Sequence, residues 1–291
     1  MKKALLQLNT AVFLWGFTGV LGRLISLQEY ALVWNRLLIT TICLWALYAL
    51  QKKAVRLPWK SVLYVAAVGT VQALHWVCFY GSIKWSNVTI ALTCLSTSAL
   101  MAALIEPMLT AKKLRLLEVV LGLFTIAGIA LIYKSHLEFS TGIWIGLLSA
   151  LLTVIVSVLN KKMVNQYQPE QITLYQLSGG FVGLTLLAPL ATSFLNQPIV
   201  LWLLILSIVC TIFTFMLYIR SLKQVSAFTM NLLLTLEPVY GILLAFILFR
   251  EDRLLDTHFY LGFALIAAAV VVHIALLVRN GKETLTSASE I

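Results

Sequence analysis

The sequence predicts an all-α polytopic membrane protein, with ten transmembrane helices arranged as two inverted five-helix repeats around a central cavity. Three observations lead to this fold class. Of the 291 residues, 61% are hydrophobic and only 11% are charged, whereas about 25% of residues are charged in soluble proteins. The apolar residues fall into runs of membrane-spanning length. The two halves of the chain also resemble each other weakly.

Each apolar run reaches the roughly 20 residues that a helix needs to cross a bilayer. The first run has no small-residue cleavage site, so we expect it to stay as a span and not to be removed as a signal peptide. The ten predicted spans are 4–25, 30–50, 61–83, 88–109, 116–133, 142–162, 171–193, 200–219, 227–249 and 257–278.

The positive charges predict the orientation of these spans. With the N-terminus inside, 15 of the 21 Lys and Arg residues lie on the cytoplasmic side, 5 lie outside, and Arg36 lies within a span. Cytoplasmic loops carry such an excess, so we expect both termini in the cytoplasm and the chain in the inner (plasma) membrane. Nucleic-acid-binding proteins cluster their basic residues on one face. Here the basic residues lie in the short segments between spans, so no nucleic-acid partner is expected.

Sliding the chain against itself by about 140 residues brings the halves into register. Ser82-Ile83-Lys84 then meets Ser221-Leu222-Lys223, and the stretch 112–117 meets 251–255. We therefore predict a first repeat over 1–140, a second over 141–280 and a cytoplasmic tail over 281–291. Each repeat holds five spans, an odd number, so the second must enter the membrane from the opposite side. Inverted repeats with a site near the midplane are typical of secondary transporters.

Polar side chains form helical stripes on the spans, with the exception of the fifth and the tenth. Those two carry small residues such as Gly122, Gly128 and Ala267, which suit close helix packing. We expect a cavity walled by the other eight helices. The alternative is that the hydroxyl groups merely bond to their own helix backbones.

Glu237 is the sharpest candidate for a substrate contact. It lies about 15 Å along the ninth span at 1.5 Å per residue, where an ionisable group is costly and commonly functional. Pro238 follows, and its missing N–H loosens the helix there. Glu237 is expected to bind a substrate ammonium or to take up a proton. The alternative is a permanent structural pair with Arg36 or His75.

Arg36, about 9 Å into the second span, carries a guanidinium fork that fits a substrate carboxylate, although it is also able to snorkel to the interface. His75 is expected either to titrate or to donate to a neighbouring carbonyl. No histidines are grouped as metal ligands, so no metal and no cofactor is expected. The remaining predicted substrate-binding residues are Gln72, Trp76, Tyr175, Gln176, Trp15 and Asn231.

Several motifs are absent from the sequence. It has no G-x-x-x-x-G-K-[ST] loop, so nucleotide hydrolysis on this chain is not expected to drive transport. It has neither H-E-x-x-H nor G-x-S-x-G, which argues against an enzyme.

Family motifs add to these observations. The chain has Trp15-Gly16 in the first span, Asn35-Arg36 in the second and Glu237-Pro238 in the ninth, with Arg250-Glu251 before the last. On its ten-span pattern and these pairs it resembles the drug/metabolite transporter superfamily, EamA type, over essentially the whole chain. The resemblance implies a secondary transporter of small metabolites, often an exporter of amino acids in bacteria. The chain departs from the pattern in its first half, where Ala99 stands opposite Pro238 and Lys112 opposite Glu251.

We therefore expect a secondary transporter that works by alternating access, with a small-molecule substrate and the lipid bilayer as its partners. Export of an amino acid is the leading hypothesis, and proton coupling through Glu237 and His75 is a further one. The alternatives are uptake or exchange of a larger metabolite, such as a nucleotide derivative or vitamin, and, from another class, an intramembrane enzyme or a channel. The oligomeric state stays open.

Overall fold

The computed structural model describes residues 2–52, 55–110, 116–187, 197–221, 233–234 and 236–288, and the regular elements within these ranges are all helical. A π-helical segment, Ile205–Phe213, joins α9 to α10, and short 3-10 turns, Leu137–Phe139 and Glu251–Leu254, precede α7 and α12. The helices are α1 Lys2–Leu24, α2 Glu29–Leu50, α3 Trp59–Trp85, α4 Val88–Ser96, α5 Ser98–Thr110, α6 Leu116–Ser135, α7 Ser140–Met163, α8 Pro169–Leu187, α9 Gln197–Leu204, α10 Thr214–Ser221, α11 Leu236–Phe249 and α12 Thr257–Ala288.

Five helical segments are long and apolar enough to cross a membrane, and four others are apolar but shorter. The full number of ten spans therefore stays a prediction, although each predicted span coincides with helix in the described residues. The five long segments are Ala4–Leu24, Glu29–Leu50, Trp59–Trp85, Leu137–Met163 and Ile199–Ser221, and the shorter ones are Val88–Ala102, Val119–Ser135, Leu236–Phe249 and Thr257–Val272.

Two predicted spans differ from the uniform helix that the sequence suggested. The fourth is interrupted at Thr97, between α4 and α5. There the hydroxyls of Ser96 and Thr97 each donate at 2.6 Å to carbonyls three residues back, those of Thr93 and Cys94, and such bonds bend helices. With Ala99 opposite Pro238, Thr97 stands opposite Leu236, the first residue of α11. The first half therefore interrupts its helix here although it lacks the proline.

The eighth span contains the π-helical segment. Within it the hydroxyl of Thr211 donates at 2.6 Å to the carbonyl of Leu206, five residues back. A π-helix rotates the side chains that follow it relative to a regular α-helix and is frequent at functional sites. Apolar content alone does not reveal such a segment, so the sequence analysis missed it.

Polar caps begin several helices. Asn87 precedes α4, and its side-chain oxygen accepts from the N–H of Ile90 at 2.8 Å. Asp256 precedes α12 and accepts from the N–H of Phe259 at 2.8 Å. Such caps satisfy N–H groups that have no partner within the helix. The bond from Phe259 also holds the pKa of Asp256 below its usual value.

Glycines bring α3 and α8 into close contact. A Cβ atom added to Gly69 would lie 2.7 Å from the carbonyl carbon of Gln176 and 2.9 Å from the nitrogen of Gly180. Both of these are backbone atoms, which a side-chain rotation cannot move aside. Small residues thus set the distance between these two helices, as is common in membranes.

We predict that Gly69→Ala destabilises the protein and that Gly81→Ala does not. Both glycines lie in α3, but a Cβ atom at Gly81 would meet its nearest neighbour, Cγ2 of Ile145, at an ordinary 3.5 Å. Overpacking costs about 1–3 kcal/mol, whereas alanine is favoured over glycine within a helix by roughly 1 kcal/mol. Melting in detergent should therefore show a lower midpoint for Gly69→Ala alone. Equal midpoints for the two variants would contradict this account of the α3–α8 contact.

The helices α6 and α12 pack against each other through a second glycine contact. A Cβ atom on Gly128 would lie 2.7 Å from the carbonyl oxygen of Gly262, and one on Gly262 would lie 2.5 Å from that of Gly128. Both helices also expose large apolar side chains, including Phe124 and Leu261. The small residues of the fifth and tenth spans were expected to suit close helix packing.

Candidate functional site

A cavity lies between the helices and offers about 150 Å³ of space to water. One water needs roughly 10–15 Å³ on this measure. Its walls come from α1, α2, α3, α4, α5, α7, α10 and α11. The polar and charged side chains in its lining are Thr18, Arg36, Gln72, His75, Ser96, Ser98, Thr153, Ser157, Asn160, Tyr218 and Glu237.

The outer pair of helices, α6 and α12, contributes no described residue to this lining, as expected for the fifth and tenth spans. The expectation that all eight other spans wall the cavity is wrong for one of them. The described lining contains no residue of α8, which forms the seventh span. The glycine face of α8 packs against α3 instead.

Arg36 is the largest fully buried side chain among the described residues and is held on three sides. Its Nε donates to the hydroxyl of Thr211 at 2.7 Å, and one terminal nitrogen donates to the hydroxyl of Tyr80 at 2.9 Å. The guanidinium carbon lies 3.9 Å from the ring centroid of Trp76, a cation–π distance. The hydroxyl of Ser207 also donates to the carbonyl of Arg36 at 3.2 Å. Residues on α3 and the π-helical segment therefore fix this group.

These neighbours leave Arg36 with its charge uncompensated by a direct partner. Among the described residues, no carboxylate lies at ion-pair distance from its guanidinium. The described contacts of the guanidinium, with Thr211 and Tyr80, use two of its five N–H donors. A guanidinium fixed in this way on a cavity wall is suited to bind an anionic group.

Glu237 lines the same cavity at the start of α11, with Pro238 beside it. Among the described contacts it forms no ion pair with Arg36. The cavity thus presents a guanidinium from the first half of the chain and a carboxyl group from the second half.

His75 and Gln72 also lie in the lining, one turn apart on α3. The Nδ1–H of His75 donates to the carbonyl of Ser149 at 3.0 Å, and the hydroxyl of Thr153 lies 2.8 Å from Nδ1 and 3.0 Å from Nε2, to which it donates. We infer this tautomer because a carbonyl can only accept. With both ring nitrogens engaged, His75 links α3 to α7 as a satisfied neutral histidine.

Trp15 forms part of the wall on α1. Its indole N–H donates to the hydroxyl of Thr214 at 3.0 Å, and its ring lies 5.1 Å from that of Tyr218. Both aromatic rings belong to the lining. They add an apolar surface to a cavity whose charges come from Arg36 and Glu237.

Two predicted site residues lie elsewhere, and a third is outside the described residues. The hydroxyl of Tyr175 donates at 2.8 Å to the carbonyl of Val55, in the connection between α2 and α3. Gln176 is fully buried where α8 meets α3. Neither residue lines the cavity, because α8 turns its glycine face toward α3. Asn231 lies outside the described residues.

The contacts that hold Arg36 were not predicted from the sequence. Tyr80 and Thr211 were not among the predicted site residues. Their bonds to Arg36 join residues that are 44 and 175 positions apart. The stripes themselves were the available signal, since Thr211 shares one with Ser207, which also bonds to Arg36.

The chain is similar to known transporters. The EamA-like transporter family matches residues 2–134 and 140–274. A Bacillus subtilis protein named uncharacterized transporter YxxF is 26% identical over 98% of this chain and 93% of its own length. An Archaeoglobus fulgidus protein named uncharacterized transporter is 31% identical, over 54% of this chain and 55% of its own length. A solved crystal structure shares the fold with a TM-score of 0.66 at 18% identity, covering 96% of this chain and 99% of that one.

Proposed function

Because the chain belongs to the EamA-like transporter family, we propose that it is a secondary transporter that exports a small zwitterionic metabolite, specifically an amino acid. Its membership already makes it a multi-pass membrane protein and a transporter, not an enzyme. In this proposal Arg36 binds the substrate carboxylate and Glu237 binds the ammonium. Gln72, Trp76 and Trp15 shape the pocket, and His75 positions α3 against α7.

One observation carries the choice of substrate. Arg36 is immobilised by Thr211, Tyr80 and Trp76 without a carboxylate partner among the described residues, and it shares a small cavity with Glu237. A guanidinium fixed in this way is preorganised for a bidentate carboxylate. The uptake or exchange of a nucleotide derivative would need more space and more cationic groups than the described lining offers.

The proposal includes the two inverted five-helix repeats, 1–140 and 141–280, with alternating access to a shared site. The family matches the chain in two stretches of similar length, which supports this division. We also propose cytoplasmic termini, an inner-membrane location and a tail over 281–291.

Glu237 is the candidate proton carrier, because its carboxylate has no hydrogen-bond donor among the described residues, whereas His75 has both nitrogens engaged. Export follows the behaviour that the family resemblance implies.

Counterflow in proteoliposomes tests the substrate class. Liposomes that contain the purified protein are loaded with unlabelled amino acids, and entry of each labelled amino acid is followed. We expect accumulation of at least one. An excess of its amide, which lacks the carboxylate, or of the matching 2-hydroxy acid, which lacks the ammonium, should compete at least about tenfold more weakly, since each loses one charge contact.

Protein-free liposomes and liposomes with heat-denatured protein provide the controls. If no amino acid accumulates in liposomes shown to hold folded protein, the amino-acid proposal is wrong, and nucleotides and vitamins become the next panel. Equal competition by the amino acid, its amide and the 2-hydroxy acid would show that the site does not bind both charged groups of the substrate.

A further inference from the structure

A buried carboxylate joins the two halves of the chain at one end of the bundle. Glu251, in the 3-10 turn before α12, is fully buried. It accepts from the N–H of Val88 at 3.2 Å and of Thr89 at 2.8 Å, and from the hydroxyl of Thr89 at 2.6 Å. It also pairs with Arg23, in the last turn of α1. We refer to Arg23, Val88, Thr89 and Glu251 together as the latch.

Among the described residues, every donor to Glu251 belongs to the first half of the chain. Glu251 itself belongs to the second half. Burying a carboxylate is costly unless hydrogen bonds and an opposite charge compensate for it. Here two N–H groups at the start of α4 and one guanidinium do so, and the helix N-terminus favours the negative charge. Phe249 packs under the guanidinium of Arg23 at 4.3 Å. The latch is therefore satisfied only while α1, α4 and the 3-10 turn stay together.

The helices below the latch close this end of the cavity. A Cβ atom on Gly19 of α1 would lie 3.0 Å from Val88, at the start of α4, and one on Gly241 of α11 would lie 3.1 Å from the carbonyl of Gly16. The described lining begins farther in, at Thr18 on α1 and Leu95 on α4. Opening the cavity toward this end would require α1, α4 and α11 to separate, which would break the latch.

We propose that the latch holds one end of the transporter closed and that its buried ion pair and hydrogen bonds make the state open at the other end the resting state. This inference rests on alternating access in the proposed function. With the proposed orientation the latch lies outside, so the resting cavity faces the cytoplasm. An exporter needs this arrangement, because its substrate must load from inside.

The test measures how quickly a membrane-impermeant maleimide reaches the cavity from the latch end. Cysteine replaces Ser98, which lines the cavity, in a background whose four native cysteines are changed to alanine. A separate Leu137→Cys reporter identifies the latch face of the vesicles, since this exposed residue lies in the turn beside His136, which contacts Asp256 at 3.2 Å. No substrate is needed, so the result is independent of which metabolite is transported.

We expect Glu251→Gln and Arg23→Gln each to raise the labelling rate of the cavity cysteine from the latch face about tenfold or more, the change expected when a buried charge pair is broken. Glu138→Gln is the matched control, because Glu138 is an exposed carboxylate at the same end and outside the latch. Its labelling rate should equal that of the parent.

A milder variant, Thr89→Val, is used in the same labelling experiment if Glu251→Gln does not fold. It removes the hydroxyl that donates to Glu251 and keeps the backbone N–H donor. We expect a smaller increase in the labelling rate for this variant. Unchanged rates in the folded latch variants, or an equal increase in Glu138→Gln, would overturn the latch. If labelling responds as expected while counterflow detects no amino acid, the latch stands and the substrate proposal alone fails.

Discussion

Arg36→Lys is expected to abolish amino-acid accumulation in counterflow although the positive charge is kept. Lysine offers a point charge on a flexible stem, whereas arginine offers a planar fork that stacks on aromatic rings. The variant would lose the bond from Nε to Thr211 and the flat face that lies 3.9 Å from Trp76. The ammonium group would then be neither fixed nor able to bind a carboxylate with two parallel bonds.

The expected loss is large. Truncating one member of a buried, hydrogen-bonded charge pair costs about 2–5 kcal/mol, which corresponds to roughly a 30- to 3,000-fold weaker affinity. The measurement is the substrate concentration that half-saturates counterflow, with the melting midpoint as a check on folding.

The matched control for this variant is Arg220→Lys. Arg220 is partly exposed and pairs with Glu170 at 2.9 Å outside the cavity, and exposed pairs of this kind contribute little. Its transport should resemble that of the parent. If Arg36→Lys folds and its half-saturating substrate concentration is unchanged, the Arg36 guanidinium does not bind the substrate.

The helices were predictable because each apolar run is long enough to span a bilayer and carries a polar break at each end. The boundaries of α2 and α3, for example, agree with the predicted spans within two residues. The interruption at Thr97 and the π-helical segment were not predictable. Both depend on which carbonyl each hydroxyl bonds to, and composition does not record that choice.

The rotation of each helix was the harder part of the site. By helical periodicity the seventh span has two polar faces, one with Tyr175 and the other with Gln176 and Gly180. It left open which face meets a neighbour and which meets the cavity. The deciding contact is between Gly180 and Gly69, more than one hundred residues apart in the chain. Arg36 posed the same difficulty, because only its long-range bonds distinguish a fixed guanidinium from one that snorkels.

Glu237→Gln is expected to abolish counterflow of amino acids in a protein that still folds. Glutamine keeps the size of the side chain and removes the charge that would bind the ammonium. Because Glu237 lies in the cavity without forming an ion pair to Arg36 among the described contacts, its loss should leave the packing of α11 intact. The melting midpoint should therefore stay close to that of the parent, as it should for the control variant Glu138→Gln.

The double variant Arg36→Gln with Glu237→Gln decides between a binding site and a structural pair. If the two residues locked the halves together, each single change would unfold the protein and the double change would restore it. We expect the opposite result: both single variants fold, each loses transport, and the double variant gains nothing back. Restored folding in the double variant would make the pair structural.

The same Glu237→Gln protein separates ammonium binding from proton coupling. Exchange of labelled for unlabelled substrate requires binding and reorientation but no net proton movement. Accumulation against a gradient requires the coupled proton as well. If Glu237 only carried the proton, the variant would keep exchange and lose gradient-driven transport. We expect exchange and gradient-driven transport both to be lost. The carboxylate charge of Glu237, which a coupled proton would neutralise, is also the charge that binds the substrate ammonium in this proposal.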